Sequence, residues 1–183
     1  MKKLFALSLL ALVTMLSSTA FAQKPVTVGG APMFPNKNII ENAVNSKDHT
    51  TLVAAVKAAG LVETLQGNGP FTLFAPVNAA FDALPAGTVD TLLKPENKGT
   101  LTAVLTYHVV AARLNSKALE RMIKQGNGRA ILKTVQSGEL TATMSGSDIN
   151  ITDAKGNMAR ITITNVNQSN GVIHVVDRVL LPQ

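Results

Sequence analysis

The sequence predicts an α+β protein, and three observations support this fold class. Before residue 125, apolar residues recur at helical spacing between capping residues and glycines. After residue 129, the chain changes to short runs rich in Thr, Ile and Val that are separated by turn residues. Because the helices and strands are grouped along the chain, the pattern favours α+β over alternating α/β. The apolar fraction of 46% is enough for a packed core and argues against disorder.

The N-terminus has the three parts of a signal peptide. Lys2 and Lys3 precede the apolar run 4–16, and small residues follow, ending at Ala22 in an A-x-A motif. The run is too short for a permanent anchor, so we expect residues 1–22 to be removed. Cleavage lowers the net charge from +6 to +4 (6 − 2), since two lysines and no acid are lost. The mature chain is expected to be periplasmic or extracellular and not to span the membrane.

The beginning of the mature chain predicts a leader followed by helices. Residues 23–37 contain three prolines and a Gly-Gly pair, which indicates an extended leader before a domain of residues 38–182. Asn38 with Glu41 forms a capping-box pattern, which predicts a short helix. Asp48 is predicted to cap the next helix.

The middle of the chain alternates short strands with short helices. The apolar run Phe71–Ala75 predicts a strand that Pro76 ends. Asn78 is predicted to cap the brief helix that follows. The run Tyr107–Val110 indicates another strand, and Ser116–Lys124 has the spacing of a helix.

The last third of the chain predicts a meander of strands. Its apolar and β-branched runs are short, and glycine-containing turns separate most of them. The predicted strands are residues 130–135, 139–144, 149–152, 158–166, 172–176 and 179–181.

Composition and motif searches exclude several kinds of site. The chain has no cysteine, so disulfides, thiolate metal sites and cysteine nucleophiles are excluded. It has three histidines and no serine-hydrolase, zinc-protease or phosphate-loop motif. We therefore expect no enzyme activity, no cofactor and no metal. Basic residues are dispersed and aromatic residues are few, which argues against nucleic-acid binding.

Two histidines are the remaining candidates for chemistry. His108 and His174 lie in apolar runs, which favours hydrogen-bonded structural roles over a general base or a metal ligand. Asp177 follows His174 by three residues, and in a strand the two side chains face opposite sides. No acid–base pair is expected between them.

Three segments resemble the signature segments of the fasciclin domain, in the same order and at similar spacing. They are residues 69–81 (GPFTLFAPVNAAF), 105–110 (LTYHVV) and 170–182 (NGVIHVVDRVLLP). The resemblance covers roughly residues 38–182. It implies a wedge of two β-sheets with several helices packed around it. It also implies a non-enzymatic exported module for cell adhesion or for contact with a protein or an envelope or matrix component.

The resemblance also implies roles for matched residues. The candidate binding surface is Tyr107, His108, Val109 and Val110. The residues expected to hold the motifs structurally are Phe71, Thr72, Phe74, Pro76, Asn78, Phe81, Asn170, Gly171, His174 and Asp177. Animal members often carry an Asp-Ile pair that is proposed to contact integrins, whereas this chain has Asn165-Val166. The loss of that carboxylate argues against an integrin-type contact.

Two other functions are weighed against adhesion. One is a carrier for an apolar small molecule such as a carotenoid or lipid. Met122, Ile123 and Met144 are candidates to line its site, although their spacing favours core packing. The other is a hydrolase, for which the sequence shows no nucleophile–base pair.

Overall fold

Seven strands form one sheet and two more form a separate hairpin in a computed structural model that describes residues 24–183. The predicted signal peptide lies outside the described residues. The strands are β1 Val26–Val28, β2 Ala31–Met33, β3 Phe71–Pro76, β4 Val109–Val110, β5 Arg129–Lys133, β6 Glu139–Ser145, β7 Asp148–Thr152, β8 Met158–Gln168 and β9 Gly171–Val176. The helices are α1 Ile39–Ala43, α2 Thr50–Ala59, α3 Val62–Gln66, α4 Asn78–Asp82, α5 Thr88–Leu92, α6 Lys98–Tyr107 and α7 Ser116–Gln125.

The larger sheet divides into two halves that share β8. Its strand order is β4-β3-β9-β8-β7-β6-β5, and all neighbours are antiparallel except β3 and β9. The first part of β8 pairs with β7 and the rest with β9. Two register shifts interrupt the pairing with β9, and Asn165 adopts a φ of 59° beside one of them. Such irregularities bend a strand. The predicted α+β class and the wedge of two sheets with surrounding helices are confirmed.

Apolar side chains on the two faces of β3 and β9 form two cores. Leu73 and Ile173 belong to the first core, together with residues of α1, α2 and α6. Phe74 and Val176 belong to the second core, with residues of β5, β6, β7 and α7. Both faces of these strands are therefore covered, which explains why the run Phe71–Ala75 is continuously apolar.

The predicted leader is packed against the domain. β1 and β2 make it extended in part, but Val28 and Met33 are only 1% and 2% exposed and join the first core. Asn42 of α1 accepts a hydrogen bond from the Phe34 backbone N–H at 2.9 Å and donates one to the Phe34 carbonyl at 2.8 Å. Residues 26–34 are therefore not a free tether, while the boundary at residue 38 remains a prediction.

The predicted helix cap before α1 is confirmed, whereas the predicted caps of α2 and α4 are wrong. The capping box of α1 is present, with Asn38 Oδ1 2.9 Å from Glu41 N and Glu41 Oε2 2.8 Å from Asn38 N. The predicted cap by Asp48 is wrong, since His49 occupies the N-cap position of α2. Asn78 also does not cap its own helix, because Val77 precedes α4 at that position.

Asn78 instead stabilises the start of α2 from a distance. Its Oδ1 accepts from Thr51 N at 3.0 Å, and its Nδ2 donates to Lys47 O at 2.8 Å. The amide therefore supplies an acceptor to one of the N–H groups that the first turn of a helix leaves unpaired.

The predicted strand at residues 179–181 is replaced by contacts with side chains. Leu180 N donates to His108 Nε2 and Leu181 N donates to Asp153 Oδ2, both at 2.9 Å. These bonds satisfy the backbone without a strand partner.

Candidate functional site

The four residues predicted as a binding surface lie in the interior. Tyr107 ends α6, His108 caps that helix, and only Val109 and Val110 form a strand. Their exposed fractions range from 0% to 6%. Val109 faces the first core and Val110 the second. The prediction that these side chains form the surface is wrong, because an apolar run at this place in the sheet is buried on both faces.

Tyr107 connects α6 to two other parts of the chain. Its hydroxyl donates to the Glu139 carbonyl at 2.6 Å and accepts from Ala154 N at 2.9 Å. Burial raises the pKa of this hydroxyl above its usual value, so it stays protonated and able to donate.

His108 uses both ring nitrogens inside the protein. Because the Leu180 backbone N–H can only donate, Nε2 accepts that bond and the ring proton lies on Nδ1. Nδ1 donates to the Val104 carbonyl at 2.8 Å. Burial lowers the pKa of His108 to about 4, so the ring is neutral at physiological pH. The predicted structural role agrees with this geometry.

His174 is held in a similar way on β9. Its Nε2 donates to the Leu114 carbonyl at 2.7 Å, and its Nδ1 lies 3.4 Å from Asn165 N. The ring stacks on Phe74 at a centroid distance of 5.9 Å. Burial lowers its pKa as well. Asp177 faces elsewhere and binds Arg160, accepting from its backbone N–H at 2.8 Å.

The signature segments meet as the parallel pair β3 and β9. Thr72 donates to Ala112 O at 2.5 Å and accepts from Leu114 N at 2.9 Å. A Cβ on Gly171 would lie 2.3 Å from Phe71 O, so only glycine permits this approach. Pro76 is the last residue of β3, and Phe81 lies in the first core.

Asn170 connects the start of β9 to the helices. Its Oδ1 accepts from Ile39 N at 3.1 Å, and its Nδ2 donates to Leu65 O at 2.8 Å and to Gly67 O at 2.9 Å. These contacts reach across more than 100 residues of sequence. The motif residues described here therefore contact the protein's own backbone or core.

Asn165, the residue at the position compared above with an Asp of animal members, is also engaged internally. Its Oδ1 accepts from Ser116 N, and its Nδ2 donates to Ser116 Oγ, both at 2.8 Å. The side chain thus fixes the first turn of α7 to the bend in β8.

The surface of residues 24–183 carries several open depressions, and one of them borders Tyr107. A polar one of about 620 Å³ is bordered by Tyr107, Gln136, Glu139, Thr141, Asp153 and Gln183. The Asp153 carboxylate within it already accepts from the backbone N–H groups of Lys155, Asn157 and Leu181.

The second depression is a groove beside β5. It measures about 430 Å³ and lies between the last turn of α7 and the edge strand, where Ile131 is 50% exposed. The sequence analysis did not identify this groove as a site. The alternation Arg-Ala-Ile-Leu-Lys was the available signal, because it places an isoleucine between two basic residues on one face.

Comparisons with known proteins place this architecture in a family. A family model for the fasciclin domain matches residues 47–182. The chain therefore belongs to the fasciclin family.

Relatives and a solved structure agree with this assignment. Protein sll1483 of Synechocystis sp. is 43% identical over 164 residues, covering 87% of this chain and 82% of that protein. The cell surface glycolipoprotein MPB83 of Mycobacterium bovis is 31% identical over 166 residues, covering 88% and 68% respectively. A FAS1 domain pair from the insect cell adhesion molecule fasciclin I matches with a TM-score of 0.72 at 18% identity. The match covers 80% of this chain and 51% of the pair, so the chain spans about half of it.

The part of the chain that the structure describes contains no helix long and apolar enough to cross a membrane. Among residues 24–183, His, Asp and Glu also form no cluster of three that would hold a metal ion.

Proposed function

We propose that the protein is an exported, non-enzymatic module that acts in adhesion or envelope contact by binding another protein. Family membership is the observation that carries this proposal, because fasciclin domains are linked to cell adhesion and protein interactions. The name of one relative, a cell surface glycolipoprotein, supports an exposed location. The signal-peptide pattern of residues 1–22 supports export.

The internal hydrogen bonds of His108 and His174 support binding rather than catalysis. His108 and His174 have contacts at both ring nitrogens and lie at 1% and 0% exposure. A general base needs to reach a substrate proton, which these buried rings do not.

The packing of the second core favours protein binding over an apolar carrier. Ile123 is buried in this core, and Met122 and Met144 pack against it. Two apolar crevices near the first core hold only about 20 and 30 Å³. A crevice of that size admits about one water molecule, far less than a carotenoid needs.

Affinity capture with the exported chain tests the proposal. The chain is immobilised and exposed to native envelope extract, and bound proteins and lipids are identified by mass spectrometry. We expect a protein that soluble chain displaces in a concentration-dependent manner. Recovery of a pigment or lipid in place of a protein, or no displaceable partner, would contradict the proposal. Fractionation of cells checks export, with a chain shortened by residues 1–22 as the expected mature form.

A further inference from the structure

The edge strand β5 offers unpaired backbone groups. In the β5–β6 hairpin, Thr134 N donates to Gly138 O, and residue pairs continue in register to Arg129 and Thr143. Antiparallel strands alternate in their bonding direction, so Ala130 and Leu132 bond to β6 while Ile131 and Lys133 point away. Outside the β5–β6 ladder, no hydrogen bond among residues 24–183 reaches the backbone of Ile131 or Lys133.

One contact shows that this outer side can accept a strand. Val135 continues the same outward series, and its N–H donates to the Val109 carbonyl of β4 at 2.8 Å. The two edges of the sheet therefore meet at this point, whereas the edge at residues 129–133 has no strand beside it. The groove between α7 and β5 leaves space there.

The exposed side chains of β5 form a distinct chemical pattern. Arg129, Ile131 and Lys133 are exposed, while Ala130 and Leu132 are buried in the second core. Neither Arg129 nor Lys133 forms an ion pair with another described residue, since both ion pairs found among residues 24–183 use Arg160. A strand laid beside β5 would meet a basic, an apolar and a basic side chain at every second position.

This pattern of side chains favours some strands over others as the partner beside β5. A second copy pairing antiparallel through Ile131 would place Arg129 opposite Lys133 twice, and like charges directly opposite are destabilising. An extended segment with an acidic, an apolar and an acidic residue at alternate positions would place opposite charges at both ends. It would also cover Ile131.

We propose that β5 is the docking edge for an extended acidic segment of a partner protein, which adds a strand to the sheet beside Arg129, Ile131 and Lys133. Main-chain hydrogen bonds hold such a strand, and the alternate side chains select it. This inference rests on the proposed function and names the chemistry of the partner.

A synthetic peptide tests the proposal directly. The probe is acetyl-Thr-Glu-Thr-Val-Thr-Glu-Thr-amide, titrated into the purified, isotope-labelled exported chain at low salt. We expect amide chemical shifts to change at residues 129–133 and in the adjacent turn of α7. A peptide with both Glu replaced by Lys, and one with an N-methylated central Val, should each bind at least about tenfold more weakly. Shifts that spare β5, or equal binding of either control peptide, would overturn the proposal.

Protein variants separate this inference from the proposed function. The double change Arg129→Glu, Lys133→Glu should weaken peptide binding by at least about tenfold. The matched pair Lys57→Glu, Lys94→Glu makes the same charge change on the helical side and should bind as the unaltered chain does. Ile131→Thr retains strand propensity and should weaken binding severalfold even if the double variant folds poorly. If the double variant folds and captures the envelope partner as well as the unaltered chain, docking at β5 is wrong while the proposed function stands.

Discussion

His108 joins residues far apart in sequence, because its ring lies between the Val104 carbonyl and the Leu180 N–H. Together the two contacts require a neutral ring with its proton on Nδ1, because the Leu180 N–H needs an unprotonated Nε2. Protonation of Nε2 would remove the acceptor for Leu180 and place a charge in the core.

This requirement predicts that the protein becomes less stable as the pH is lowered. The pKa of His108 is about 4 in the folded protein, below the ordinary 6.5 of the unfolded chain. The unfolded state therefore binds a proton first as pH falls, and the stabilising contribution is complete only above about pH 6.5. Between pH 6.5 and 4 the free energy of unfolding should drop by up to about 3 kcal/mol from this residue. Urea denaturation at several pH values measures the loss.

His108→Gln provides the control for that measurement. The amide keeps a donor and an acceptor but does not titrate, so the pH dependence should become shallower, leaving the contributions of His49 and His174. An unchanged pH profile in this variant would contradict the assigned role of His108.

Gly171 predicts a second effect at the residue scale. An alanine here would bring its Cβ against the Phe71 carbonyl, where β3 and β9 pair. We expect Gly171→Ala to cost more than about 2 kcal/mol, which thermal or urea unfolding detects. Gly99→Ala in α6 is the matched control, because no atom beyond its chain neighbours and the nearby backbone of α6 would lie within 4 Å of the added Cβ. It should be neutral or stabilise by up to about 1 kcal/mol. Equal effects of the two substitutions would contradict the account.

At the scale of elements, the start of α2 depends on a side chain from another helix. Asn78→Ala removes the acceptor for Thr51 N and the donor to Lys47 O. We expect a loss of about 1–2 kcal/mol in the free energy of unfolding. Asp48→Ala should change stability by less than about 0.5 kcal/mol, since Asp48 caps no helix here. A larger loss of stability for Asp48→Ala than for Asn78→Ala in urea denaturation would contradict this account and favour the predicted cap by Asp48.

These elements also show where sequence reasoning succeeds and where it stops. The Asn38–Glu41 box and the end of α2 at Gly60 are local, so residues three or four apart decide them. Asn78 and Thr51 are 27 positions apart, and nothing near either one indicates the other. The run Tyr107–Val110 has strand-like composition, yet its first residue completes α6. The hydroxyl of Tyr107 bonds to Glu139 O and Ala154 N, which are 32 and 47 positions away.

For the whole molecule, the order of strands decides which residues face a partner. The alternation of β5 was readable, but its place at the edge follows from the seven-strand order and from β3 pairing with β9. Two of the fasciclin signature segments form β3 and β9, which are covered on both faces, and the third ends in β4 beside β3. A resemblance carried by buried motifs therefore predicted the fold correctly but pointed to a binding surface that lies in the interior.

Hydrogen exchange on the exported chain, alone and with the captured envelope protein, tests the central claim most directly. The claim is that the protein binds a protein partner through the β5 edge rather than through the motif residues. We predict that the partner slows exchange at Ile131 and Lys133 and leaves Tyr107–Val110 unchanged. Protection that leaves β5 unaffected and appears at another surface would contradict the claim.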